Sequence, residues 1–206
     1  MSAIEIGTPH GLARAHLRPA ADPTAALAMC HGAGVGVDSP DLTVATEVAN
    51  EAGVSVALVE MPYLVAGRKA PQPAPQLDVC FTTIVRELQA DQLEGLPLLV
   101  GGRSMGARVA CRTAAELDAI AVLCLAFPVR PPTRKGKPPK PARLDELDAV
   151  EVATLVVQGE KDQFGQPTEG PNRTIASVAG NHGLKADLSA VHAAVAGWLD
   201  VVTNRY

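Results

Sequence analysis

Four apolar runs recur along the chain, Ala25 to Cys30, Val54 to Val59, Leu96 to Gly101 and Ala119 to Phe127, with helical stretches between them. That recurrence limits the fold more than any other feature. A strand that is apolar on nearly every residue is covered on both faces, and a strand that feeds a helix returns parallel to its predecessor. Thr154 to Gln158 and Arg173 to Val178 continue the series. Leu42, Ala45, Ala49 and Ala52 form one helical stripe, opened by Ser39-Pro40-Asp41 with serine as cap and closed by Gly53. Leu77, Phe81, Ile84 and Leu88 form a second, a third helix runs from the Ser104 turn to about Leu117, and Val191, Val195, Trp198 and Leu199 mark the last. Ala3 to Gly7 and Leu12 to Leu17 alternate in polarity around Thr8-Pro9-His10-Gly11, the pattern of an antiparallel hairpin at a sheet edge. Met61 to Pro75 and Pro128 to Pro141 are Pro-rich and read as loops. The pattern predicts one domain over residues 1–206: a three-layer α/β/α sandwich whose sheet is mostly parallel, with an N-terminal antiparallel hairpin.

Composition removes several classes. A net charge of -4 and 3% aromatic residues argue against a nucleic-acid binder. No apolar run approaches the roughly 20 residues of a membrane span, and no secretory signal pattern opens the chain. Cys30, Cys80, Cys111 and Cys124 lie in apolar runs without metal-knuckle or CxxC spacing. They read as free buried thiols, which suits a reducing cytoplasm.

The chemistry concentrates in loops that follow strands. Gly102-Arg103-Ser104-Met105-Gly106 sits between a strand and a helix, where a sharp turn exposes one serine hydroxyl above the sheet. Such a hydroxyl needs a base, and the base needs a carboxylate to hold its tautomer. Asp162, in Gln158-Gly159-Glu160-Lys161-Asp162, and His182, in Asn181-His182-Gly183, follow later strands. They supply these partners in the order Ser…Asp…His. The N–H groups of Met105 and of Ala33, in His31-Gly32-Ala33-Gly34, are the natural oxyanion donors. Taken singly, each residue has a bland reading as a turn or cap. All on strand ends in this order define an acyl-transfer site that needs neither metal nor organic cofactor.

These residues, together with Thr8-Pro9-His10-Gly11, Glu60-Met61-Pro62-Tyr63, Gly67-Arg68 and Phe164-Gly165, resemble the α/β-hydrolase superfamily. The resemblance is to its small lidless members, the dienelactone-hydrolase-like and KANL/Tex-like group, and it spans nearly the whole chain. It implies Ser104 as nucleophile, Asp162 as acid, His182 as base, and Met105 with Ala33 as oxyanion hole. Asn181 and Gly183 depart from the aspartate and serine often found beside the histidine.

The expected substrate is a small ester or thioester, with His31, Gly32, Gly34, Tyr63, Arg68, Arg103 and Phe164 as candidate contacts. A peptidase or an acyltransferase could use the same triad, and a non-catalytic interaction module could keep the same fold. Arg130, Arg134, Lys135, Lys137, Lys140 and Arg143 fall in one stretch without an acid. As a solvated, Pro-stiffened loop they aid solubility; as a collar over the site they attract anionic substrates.

Overall fold

A computed structural model describes residues 2–131 and 141–204. One eight-stranded sheet runs through it in the order β1-β2-β4-β3-β5-β6-β7-β8. The hairpin of β1 (Ser2–Thr8) and β2 (Gly11–Arg18) forms one edge and joins β4 (Val54–Glu60) antiparallel. From there every pairing is parallel, through β3 (Ala25–Cys30), β5 (Leu98–Arg103), β6 (Ala121–Leu125), β7 (Ala153–Gly159) and β8 (Arg173–Val178).

Side-chain alternation sorts each strand between two cores. Ala26, Ala28 and Cys30 of β3 face the layer of α3 (Ala74–Gln89), α4 (Met105–Thr113) and α5 (Leu144–Asp148). Ala25, Leu27 and Met29 face α1 (Pro40–Glu51) and α6 (Leu188–Thr203). The period-2 geometry of a strand thus explains why both faces of β3 are apolar. This is the expected three-layer sandwich.

Several boundaries differ from expectation. A short helix, α2 (Pro62–Val65), interrupts the first Pro-rich loop, with Pro62 at its opening turn where a missing N–H costs nothing. The α4 helix stops at Thr113 rather than Leu117, because the chain unwinds toward Asp118, whose φ of 51° turns it into β6. Ser39 does occupy the cap position of α1, yet its hydroxyl makes no capping bond. The Asp41 carboxylate accepts the Leu42 N–H instead, at 3.1 Å. α5 is a single turn without apolar periodicity; Arg108 and Arg112 of α4 pair with its Glu146, and Arg112 also with Asp78 of α3. All four cysteines are free and buried. Among the described residues no helix is long and apolar enough to cross a membrane. Of the basic stretch, Arg134, Lys135, Lys137 and Lys140 lie outside the described residues.

Candidate active site

The parallel strands bring the loops after β3, β4, β5, β7 and β8 to one edge of the sheet, where open α/β sheets carry their sites. Ser104 follows β5 directly, with φ 53° and ψ −105°, a conformation few non-glycine residues adopt. Its flanking glycines are sterically required. A Cβ on Gly102 would stand 2.5 Å from the Cys30 carbonyl oxygen, and one on Gly106 would overlap that same oxygen. The elbow therefore packs backbone to backbone on the end of β3.

His182 meets both predicted partners. Its Nδ1–H donates to Asp162 Oδ2 at 2.7 Å, and its Nε2 accepts from Ser104 Oγ at 2.9 Å. The tautomer follows from these bonds, since a carboxylate can only accept. The Asp162 side chain is fully buried, and its charge is met by donors. Phe164 N–H donates to Oδ1 at 2.8 Å, and Gln158 Nε2 donates to Oδ2 at 2.9 Å. Gln158 received no role from the sequence; its place four residues before Asp162, at the end of β7, was the available signal.

The acid and base loops are joined along their backbones. Glu160 N–H donates to Val178 O at 2.9 Å and Lys161 N–H to Gly180 O at 2.8 Å. A Cβ on Gly159 would overlap the Asn181 carbonyl. Asn181 Oδ1 accepts the Gly183 N–H at 3.0 Å, so asparagine supplies here the turn-forming oxygen of an aspartate.

Among the described residues neither the Met105 nor the Ala33 amide donates to a protein acceptor. The first is an orphan donor of the α4 amino end. The second belongs to the Gly32–Ala33 peptide, whose carbonyl is turned inward to His31 Nδ1 at 2.8 Å. A trans peptide points its C=O and N–H in opposite directions, so the Ala33 N–H faces outward. His31 Nε2 accepts from Met61 N–H at 3.0 Å, which requires a neutral ring. Burial holds the His31 pKa below its ordinary value, in agreement with that role.

The candidate substrate contacts divide into two groups. Gly34 is exposed next to the oxyanion candidate Ala33, and Phe164 packs edge-on against the His182 ring with centroids 4.5 Å apart. Arg68 is exposed at a cavity of about 290 Å³ shared with Tyr63, Leu12 and Gln72, whose lining includes none of Ser104, Asp162, His182, Ala33 or Met105. By contrast, His31 is wholly buried with both nitrogens bonded to protein, and Gly32 is buried beneath Arg103. Tyr63 is 1% exposed, and its hydroxyl reaches the Met105 sulfur at 3.8 Å. Burial pushes its phenol up to about 12. Arg103 turns from the mouth to donate to Asp41 Oδ2 at 3.1 Å and to the His182 carbonyl at 3.2 Å. All four are engaged with protein partners around the site.

Fold and site together define a class: an α/β protein that presents a serine, a histidine and an aspartate in hydrogen-bonded series on the carboxyl edge of its sheet. The chain belongs to the alpha/beta hydrolase domain family, which matches residues 23–187. Comparison with curated proteins yields no match. Among solved structures, a lidless α/β serine hydrolase from Xanthomonas campestris is similar at 18% identity with a TM-score of 0.76, over 97% of this chain and 94% of that one. Est1E from Butyrivibrio proteoclasticus is 16% identical with a TM-score of 0.77, over 100% of both chains. Dienelactone hydrolase from Anabaena variabilis is 17% identical with a TM-score of 0.75, over 98% and 97% respectively. At these identities the likeness is one of fold.

Proposed function

We propose that the protein is a serine hydrolase that cleaves a small ester or thioester through an acyl-enzyme on Ser104. The observation that carries this reading is the bonded series Ser104–His182–Asp162, at 2.9 and 2.7 Å, on a strained elbow. Ser104 Oγ attacks the substrate carbonyl carbon as its proton passes to His182 Nε2. The oxygen that becomes negative lies against the N–H groups of Met105 and Ala33, and each such donor lowers the barrier by roughly 3–4 kcal/mol in enzymes of this type. His182 then protonates the departing alcohol or thiol, leaving Ser104 acylated. Water, deprotonated by the same nitrogen, attacks the ester carbonyl, releases the acid and restores the serine.

Asp162, with its buried carboxylate satisfied by Gln158 and Phe164, holds the imidazole and balances the imidazolium charge. Relatives of the same fold that carry the names dienelactone hydrolase and Est1E support an ester over an amide. Free, buried thiols support a reducing, cytoplasmic setting.

A fluorophosphonate probe tests the reading. The wild-type protein is expected to be modified at Ser104 and to hydrolyse p-nitrophenyl esters, acyl-CoAs or lactones, with Ser104→Ala abolishing both. A folded wild type that takes up no probe would instead be a non-catalytic interaction module.

A further inference from the structure

We propose that Arg103, paired with Asp41, is a positioning residue that fixes the backbone of His182 against the nucleophile elbow. The guanidinium lies at the junction of four segments. Its own backbone is the last residue of β5, adjacent to Ser104. Nε donates to Asp41 Oδ2 in the first turn of α1, at 3.1 Å. One terminal nitrogen donates to the His182 carbonyl at 3.2 Å. The other crosses Gly32 of the oxyanion loop so closely that a Cβ there would stand 2.6 Å from it. Among the described residues no other donor reaches the His182 carbonyl.

The chemistry of the group suits this task. Guanidinium nitrogens are held in one plane at fixed mutual angles, so three contacts triangulate a position that an ammonium could not. The Asp41 side chain is 0% exposed and that of Arg103 13%, so the pair is enclosed rather than a mobile surface contact. Asp41 also accepts the Leu42 N–H through its other oxygen, which ties the carboxylate to α1. The imidazole of His182 is oriented by Asp162, but a ring can be no better placed than the backbone that carries it. Arg103, itself the residue beside the nucleophile, links that backbone to the elbow and to Asp41 of α1. The strut thereby sets the separation of Nε2 and Oγ, on which proton transfer depends.

The proposal rests on the hydrolase reading of Ser104, and the test separates the two. Fluorophosphonate labelling of the wild type against Ser104→Ala judges the hydrolase reading. Arg103→Met combined with Asp41→Asn removes the fork without leaving a buried charge, so the variant is expected to melt cooperatively with a wild-type CD spectrum. Its kcat and labelling rate are expected to fall about 100-fold with KM within about 3-fold, the size of effect that a displacement near 1 Å produces. The far-downfield NMR resonance of the proton between His182 and Asp162 is expected to broaden or move. Arg103→Lys keeps Asp41 paired and is expected to restore the melting temperature of the wild type but not its kcat. A double variant that turns over within about 2-fold of the wild type, or full recovery of kcat by Arg103→Lys, overturns the proposal. The resonance comparison needs no turnover. An unlabelled wild type would therefore defeat the hydrolase reading and leave the strut to be judged on the resonance alone, an unchanged resonance in the double variant overturning it.

Discussion

The Nδ1–H of His31 donates to the carbonyl of Gly32, the next residue, at 2.8 Å. Through the rigid peptide this bond sets the direction of the Ala33 N–H, one of the two proposed oxyanion donors. A buried histidine thus orients a backbone amide beside the elbow, and its own tautomer is held by Met61 N–H from the β4–α2 junction.

Replacing His31 by phenylalanine keeps an aromatic ring but removes the shorter of two bonds to the Gly32 carbonyl, leaving only the Val35 N–H at 3.3 Å. Loss of an oxyanion donor costs about 100-fold or more in kcat. Misdirection of the donor in His31→Phe is expected to cost about 10- to 100-fold. KM should change little, because the donor acts mainly in the transition state. Steady-state kinetics with one p-nitrophenyl ester measures this, and an unaltered kcat would remove His31 from the oxyanion argument.

The same residue makes the fold acid-sensitive. Burial lowers the folded pKa of His31, so the unfolded chain binds the proton more readily than the native one. Its contribution is complete above the ordinary histidine value of about 6.5 and is lost as pH falls through that value toward the folded one. Melting temperatures between pH 8 and 5 are expected to drop more for the wild type than for His31→Asn. Parallel curves would refute the linkage.

Strain at Ser104 predicts a stability gain from losing the nucleophile in one way only. A non-glycine residue at φ 53°, ψ −105° carries about 1–3 kcal/mol of strain, which glycine relieves and alanine does not. Ser104→Gly is expected to melt above Ser104→Ala by a few degrees, with both inactive. Equal melting temperatures in calorimetry would show an unstrained elbow.

Gly106→Ala is expected to be among the most damaging single-methyl additions in the chain. The new carbon would overlap the Cys30 carbonyl, a backbone atom inside the sheet that has nowhere to move. Gly7→Ala meets nothing within 4 Å and serves as the control. Overpacking costs about 1–3 kcal/mol, and a backbone overlap belongs at the upper end, roughly 10 °C in melting temperature for a domain of this size. Comparing the two variants by circular dichroism separates steric exclusion from a general intolerance of alanine.

The charge reading of the 130–143 segment concerns rate. Arg130 is exposed, and its N–H donates to Phe164 O at 2.7 Å, which brings the start of the segment against the loop that packs on His182. If the segment acts as a collar, kcat/KM for an anionic ester falls steeply with added salt while that for a neutral ester stays level. An equal response of the two esters would leave the segment a solvated loop.

Much of this was legible from residue order. Runs such as Ala25 to Cys30, short and bounded by turn residues, read as covered strands, and Ser104, Asp162 and His182 stand at strand ends in a usable sequence. What escaped notice shares one physical cause. Arg103 beside a nucleophile has two destinations, the open mouth or a buried carboxylate, and nothing local to residue 103 reveals Asp41 as its partner. Gln158 is likewise legible as part of a motif, but its bond to Asp162 exists only because the loop folds back on β7. The short helices α2 and α5 are too brief to show a periodicity, and tertiary contacts such as Arg108 with Glu146 decide them. Local pattern places elements; long-range pairing of polar groups assigns their duties.

The close approach of Gly102 and Gly106 to the Cys30 carbonyl has a consequence for recombination. These backbones come from segments more than seventy positions apart, and neither can shift without the other. A chimera with a related sequence whose crossover falls between β3 and the elbow joins two surfaces shaped by different histories, even if every catalytic side chain is kept. The same holds for Gly159 and Asn181 across β7 and β8. What must be inherited together in this chain is a fitted pair of main chains, and the reactive groups travel with it.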